Sequence, residues 1–85
     1  MKEFEFHLIA ARGLHAQIAT ELAQMVQNSK SQVYITKGTK SVNLERIMEI
    51  LSLGIRPGDE IRVTVVGIDE DTLCEQMKKY FEINL

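Results

Sequence analysis

The eight residues GLHAQIAT, Gly13–Thr20, mark the point at which the periodicity of the chain changes. In the preceding segment, EFEFHLIA (residues 3–10), apolar and polar residues alternate, which is typical of a half-buried β-strand. From Ala16 onward the apolar residues recur at helical spacing instead. The stretch therefore predicts a turn at Gly13 that leads from a strand into a helix, with His15 at the helix entrance.

The predicted first helix has one apolar stripe and one polar face. Its apolar stripe consists of Ile18, Ala19, Leu22, Met25 and Val26. The side chains that point away from that stripe are those of Gln17, Thr20, Glu21, Gln24 and Gln27. We expect this helix to end near QNSK, residues 27–30.

A hairpin and a second helix are predicted next. The segment QVYITKGTKSVN (residues 32–43) indicates two short strands around a turn at Gly38. The segment NLERIMEILSLG (residues 43–54) has helical spacing. Asn43 is its candidate N-cap and Gly54 its stop signal.

The remaining sequence predicts one strand and one helix. The segment EIRVTVVG (residues 60–67) alternates like a strand, and residues 69–85 are helical, with Asp69 as a candidate cap. The order of elements is βαββαβα. Because each strand has one apolar face, we expect a four-stranded antiparallel sheet with three helices on one face. This is an open-faced β-sandwich of the α+β class.

Length and composition restrict the classes of function. With 85 residues, 45% of them hydrophobic and 26% charged, the chain is expected to form one small domain over residues 1–85. Its formal net charge of -2 argues against nucleic acid as a ligand, since domains that bind phosphate backbones are usually basic. We expect neither a signal peptide nor membrane insertion, because no apolar segment is long enough. The single cysteine, Cys74, fits a reducing compartment, so a cytoplasmic location is expected.

His15 at the helix entrance has two interpretations. The first N–H groups of a helix have no internal acceptor and carry partial positive charge, which favours a bound anion such as phosphate. The same charge disfavours an imidazolium, and a neutral ring nitrogen is a nucleophile. Nucleophile and anion site would then coincide. From these residues alone, the simpler interpretation is a histidine that caps the helix or packs at the surface.

Three motifs taken together change that interpretation: GLHAQIA (residues 13–19), KSVN (residues 40–43) and RIMEILSLG (residues 46–54). In order, and across essentially the whole chain, the sequence resembles the HPr family, the histidine-containing phosphocarriers of the bacterial sugar phosphotransferase system. The family patterns are Gly-x-His-Ala-Arg-Pro-Ala, Lys-x-Val-Asn and Ser-Ile-Met-Gly-x-Met-Ser-Leu-Gly. The resemblance implies the HPr fold and a divergent member of the family.

The resemblance also implies a function. HPr proteins receive a phosphoryl group from enzyme I and pass it to A-type components of enzyme II, as carriers rather than enzymes, with no cofactor and no metal. By this match His15 is the phosphoryl acceptor through Nδ1, beside the main-chain N–H groups of Ala16 and Gln17. The expected partners are enzyme I and the enzyme II components, and a transcriptional regulator is a further candidate.

Three positions depart from the family pattern. Gln17 replaces an arginine that supplies positive charge to the phosphohistidine, and a neutral donor is expected to slow transfer by about tenfold or more. Ile18 replaces a proline and is expected to pack in the core. Arg46 replaces the serine that a regulatory kinase phosphorylates in many Gram-positive members, so that switch cannot operate here. Glu49 lies three residues on, and we expect it to pair with Arg46.

The resemblance further implies a partner-binding surface on the first two helices. Its expected residues are Gln17, Thr20, Gln24, Ile47, Met48 and Leu51. A flexible thioether such as that of Met48 suits a surface that must fit several partners. The alternative is that the apolar residues of the second helix all fold into the core.

Other functions remain open beside the phosphocarrier. Gln17 and Arg46 favour a divergent regulatory or interaction paralogue with weak or no phosphoryl transfer. The Crh group of HPr-like proteins lacks the histidine and acts through the kinase serine, which is the reverse of the pattern here. A small-molecule-binding domain is less well supported, since no glycine-rich pocket loop is present. A hydrolase is least supported, because no carboxylate that would orient His15 can be assigned.

Overall fold

The computed structural model describes residues 1–85 and contains four strands and three helices in the predicted order. The strands are β1 (Lys2–His7), β2 (Ser31–Lys37), β3 (Lys40–Asn43) and β4 (Glu60–Gly67). The helices are α1 (Ala16–Gln27), α2 (Ile47–Ser52) and α3 (Glu70–Asn84). None of the three helices is both long and apolar enough to cross a membrane.

The strands form one antiparallel sheet in the order β1-β4-β2-β3. β4 pairs with β1 on one side and with β2 on the other, and β2 pairs with β3 through the hairpin at Gly38. Along β4, buried and exposed side chains alternate, so one face of the sheet is covered and the other is open. The predicted α+β open-faced sandwich is confirmed.

The core lies between the covered face of the sheet and the helices. Phe81 of α3 is fully buried. The rings of Phe4 and Phe6 on β1 meet the Phe81 ring edge to face, with centroids 5.5 and 5.3 Å away. Ile18 is buried as expected, and Cys74 is buried as well. Burial raises the pKa of the Cys74 thiol, which makes this residue a structural cysteine rather than a reactive one.

The second helix is shorter than the sequence predicts, and the prediction of Asn43 as its N-cap is wrong. Asn43 ends β3, and its side-chain oxygen accepts a hydrogen bond from the Glu45 N–H at 2.9 Å. The Leu44 N–H donates to the Val33 carbonyl at 2.8 Å, so the chain stays attached to β2 beyond Asn43. The helix begins only afterwards, with Arg46 at the N-cap position.

Asp69 precedes α3 as predicted, but its side chain does not cap that helix. The carboxylate instead accepts hydrogen bonds from the Ser31 hydroxyl and from the Lys30 N–H, the latter at 3.0 Å. These two hydrogen bonds hold the pKa of Asp69 below its usual value. The residue therefore ties the start of α3 to the start of β2.

Candidate functional site

A close contact between two segments of main chain fixes the entrance of α1. Gly13 has a φ of +62°, and any side chain there would collide with the main chain of Ile55 and Arg56. The next residue, Leu14, donates its N–H to the Ile55 carbonyl at 3.1 Å. The loop that follows α2 thus holds the chain immediately before His15, and only glycine permits that approach.

His15 occupies the N-cap position of α1 with extended backbone, at φ -100° and ψ -179°. Its carbonyl accepts the first hydrogen bond of the helix, from the Ala19 N–H at 2.9 Å. The imidazole makes no capping hydrogen bond, and the residue is half-buried. The interpretation of His15 as an ordinary polar cap is therefore wrong, because the imidazole accepts no hydrogen bond from the start of the helix.

Three main-chain N–H groups follow His15 without a main-chain acceptor. They belong to Ala16, Gln17 and Ile18, which precede the first N–H that bonds within the helix. The first turn of α1 contains no acidic residue, so no carboxylate in that turn offsets the partial positive charge of the helix end. The arrangement can hold an anion beside the imidazole ring.

Gln17 belongs to a hydrogen-bonded chain of three side chains. Its amide nitrogen Nε2 donates to Oε2 of Glu21, one turn later, at 3.4 Å. The other carboxylate oxygen, Oε1, accepts a 2.5 Å hydrogen bond from the Tyr80 hydroxyl on α3. Sequence reasoning missed Glu21 and Tyr80, because 59 positions separate them and neither belongs to a motif.

A lysine secures the loop that carries Ile55. The Lys37 ammonium donates to the carbonyl oxygens of Leu53 and Gly54, at 3.3 and 2.9 Å, just beyond the end of α2. It also forms a 2.9 Å ion pair with Asp59. This lysine and the Arg56 N–H, which also donates to the carboxylate, hold the pKa of Asp59 below its usual value.

The residues expected to bind partners lie on two helices that pack against each other. The three predicted on α1, which are Gln17, Thr20 and Gln24, are exposed. On α2, Met48 is 75% exposed, whereas Ile47 and Leu51 are half-buried against the core. The second helix therefore presents one large apolar side chain to solvent and two others in part.

The expected pair between Arg46 and Glu49 is present but long, with 3.9 Å between Nε and Oε2. Both side chains are mostly exposed, and an ion pair of this kind contributes little to stability. Nowhere in the chain do three histidine, cysteine or carboxylate side chains lie together in a way that could hold a metal ion.

Residues 2–82 match the protein-family model described as "PTS HPr component phosphorylation site". The chain belongs to the HPr family. This places it among the phosphocarrier proteins of the phosphotransferase system, and members of the family are phosphoryl carriers rather than catalysts. It keeps the histidine of the family motif at position 15 and departs from that motif at position 17.

Solved structures of HPr proteins share the fold over nearly the whole chain. The HPr of Thermoanaerobacter tengcongensis superimposes with a TM-score of 0.88 at 32% identity, covering 96% of this chain and 92% of that one. The phosphocarrier protein HPr of Bacillus anthracis gives a TM-score of 0.84 at 29% identity, covering 94% and 95%. Crh of Bacillus subtilis, a catabolite repression protein that forms a swapped dimer, gives 0.75 at 27% identity, covering 100% and 98%.

Proposed function

We propose that this chain is a phosphocarrier that accepts a phosphoryl group on His15 from enzyme I and passes it to enzyme II components. The observation that carries the proposal is the geometry of the α1 entrance. The imidazole is free of any capping role, and the main-chain N–H groups of Ala16 and Gln17 next to it have no acceptor. A nucleophile and a preformed anion site therefore share one position.

The chemistry starts from His15 and uses the main-chain N–H groups beside it. A ring nitrogen of His15 donates its lone pair to phosphorus, and the bond between phosphorus and the donor protein breaks. In the onward step, a nucleophile of the enzyme II component forms a bond to phosphorus, and the nitrogen–phosphorus bond breaks. The unpaired N–H groups stabilise the phosphoryl oxygens in both steps. The resemblance to the family assigns Nδ1 as the reacting atom.

We assign partner binding to the exposed faces of α1 and α2. The proposed residues are Gln17, Thr20, Gln24, Ile47, Met48 and Leu51. All six lie on α1 or α2, and these two helices pack against each other. A cytoplasmic location, shared with enzyme I, belongs to the same proposal.

The decisive experiment is phosphotransfer with purified enzyme I and phosphoenolpyruvate. The chain should gain one acid-labile phosphate, and His15→Ala should lose it. The matched control is His7→Ala, because His7 is the second histidine and is exposed on β1, away from α1. Phosphorus NMR would assign the ring nitrogen. A wild-type protein that remains unphosphorylated, or a phosphate retained in His15→Ala, would contradict the proposal.

The second candidate is a regulatory paralogue with weak or no transfer. It is supported by the neutral side chain of Gln17 and by the structural likeness to Crh, a catabolite repression protein. If neither the wild type nor Gln17→Arg is phosphorylated, while the protein still binds a partner, the regulatory function is correct. If both are phosphorylated, the chain is a carrier.

A further inference from the structure

We propose that Glu21, held by Tyr80, is a positioning residue of the acceptor site. Its carboxylate orients the side-chain amide of Gln17 and favours a neutral hydrogen-bond donor at position 17. The inference rests on the proposed role of His15 and extends the site to a residue on α3. It explains why a glutamine, rather than a cation, stands two residues after the phosphoryl acceptor.

The carboxylate of Glu21 is held at both oxygens. Oε1 accepts from the Tyr80 hydroxyl at 2.5 Å, and Oε2 accepts from the Gln17 amide at 3.4 Å. Tyr80 is half-buried, and its burial together with the bond to Glu21 raises the pKa of its hydroxyl. The hydroxyl therefore remains a donor throughout the neutral range, and the short bond fixes the carboxylate against α3.

The held carboxylate has no cation of its own, and it bonds to a residue in the first turn of α1. None of the ion pairs in the chain involves Glu21. It is six residues beyond His15, which at 1.5 Å per residue is roughly 9 Å along the helix axis. Side chains of an α-helix lean toward its N-terminus, so the Glu21 carboxylate extends toward the entrance of α1.

This placement of Glu21 determines which side chain at position 17 can donate a hydrogen bond to a phosphoryl group on His15. An arginine there would face Glu21 at the i, i+4 spacing and would be attracted to the fixed carboxylate. Glu21 would neutralise the charge of that arginine, so the arginine would not supply positive charge to the phosphohistidine. The amide of Gln17 uses one N–H for its bond to Glu21, so it can keep that bond and donate its second N–H to a phosphoryl oxygen.

A double-mutant cycle on Gln17 and Glu21 tests the inference. We would measure the rate of phosphoryl transfer from enzyme I to the wild type, Gln17→Arg, Glu21→Gln and the double variant. Gln17→Arg alone should raise the rate by less than about threefold, whereas the same change in the Glu21→Gln background should raise it by about tenfold or more. The control is Glu82→Gln, an exposed carboxylate on α3 outside every ion pair, which should leave the effect of Gln17→Arg unchanged.

A second readout needs no phosphoryl transfer. In NMR spectra of the unphosphorylated protein, Glu21→Gln should shift the side-chain amide signals of Gln17, and Glu82→Gln should leave them in place. Tyr80→Phe keeps the ring and removes only the hydroxyl, and it should shift the same signals.

The outcomes separate this inference from the proposed function. If phosphorylation is normal and the effects of the two substitutions are additive, the inference is wrong and the proposed function stands. The same holds if the Gln17 amide signals do not depend on Glu21. A chain that shows the NMR coupling but accepts no phosphate in any variant would overturn the proposed function, and the role of Glu21 in transfer with it.

Discussion

The Cα atom of Gly13 lies so close to the main chain of Ile55 that no side chain fits between them. The contact joins the loop after α2 to the entrance of α1, and the Leu14 N–H bond to the Ile55 carbonyl continues it. The position of His15 therefore depends on this direct contact between two segments of main chain.

Gly13→Ala should destabilise the protein and displace His15. The added methyl group meets the Ile55 carbonyl, and the residue must keep a positive φ, so we expect a loss of more than about 2 kcal/mol in the free energy of unfolding. Gly54→Ala is the matched control, because its φ is also +62° but open space surrounds it. That variant should lose about 1 kcal/mol. Urea denaturation measures both, and equal losses would show that the contact is unimportant.

His15→Asp should make the protein more stable while removing the proposed phosphoryl acceptor. The N-cap backbone is already extended, and an aspartate there would accept a hydrogen bond from the helix and complement its dipole. We expect a gain of about 1 kcal/mol, measured by chemical denaturation at neutral pH. His15→Ala should change stability by less than about 0.5 kcal/mol, since the imidazole makes no capping bond. A less stable aspartate variant would mean that the ring stabilises the helix entrance in another way.

The fold could be predicted from the sequence because the spacing of apolar residues changes clearly between strands and helices. The alternation in β1 and β4 and the apolar stripe of α1 come from residues close together in the chain. The start of α2 could not be predicted in the same way. Asn43 suits a helix cap by residue type, but it pairs with Tyr34 in the sheet, and the Leu44 N–H bonds to the Val33 carbonyl of β2. A tertiary hydrogen bond thus overrides a local preference.

The candidate site also has a part that the sequence predicts and a part that depends on tertiary packing. His15 and its free N–H groups follow from the helix entrance, which the sequence marks with Gly13 and Ala16. The Glu21–Tyr80 bond joins two helices whose relative placement depends on the whole core. No local pattern contains that information.

The ion pair between Lys37 and Asp59 should make the protein lose stability in acid. The pKa of the Asp59 carboxyl is lowered from 3.8, first by the hydrogen bond from Lys37 and then by that from the Arg56 N–H. A carboxyl whose pKa is lowered in the folded state contributes its stability above the unfolded pKa. That contribution disappears as the pH falls through the folded pKa. It should therefore be constant from neutral pH to about pH 5 and fall below about pH 4.

Lys37→Met tests this pH dependence. Without the ammonium, the urea midpoint should be lower at neutral pH and should fall less steeply with acid than that of the wild type. Lys79→Met, which removes an exposed lysine outside every ion pair, should leave the acid dependence unchanged. If the urea midpoints of the wild type and Lys37→Met fall in parallel with decreasing pH, then Lys37 does not stabilise the ionised Asp59 carboxylate.

Met48 and Ile50 are two residues apart on α2 and should separate partner binding from stability. Met48 is 75% exposed, and Ile50 is 1% exposed. Met48→Ala should change the free energy of unfolding by less than about 0.5 kcal/mol but raise the KM for transfer from enzyme I by about fivefold or more, because an exposed apolar side chain is available to a partner. Ile50→Ala should instead cost about 2–4 kcal/mol of stability, since it leaves a cavity in the core. Ile83→Ala, which truncates an 81% exposed residue on α3, should affect neither quantity. A Met48→Ala protein with an unchanged KM would place the docking surface elsewhere.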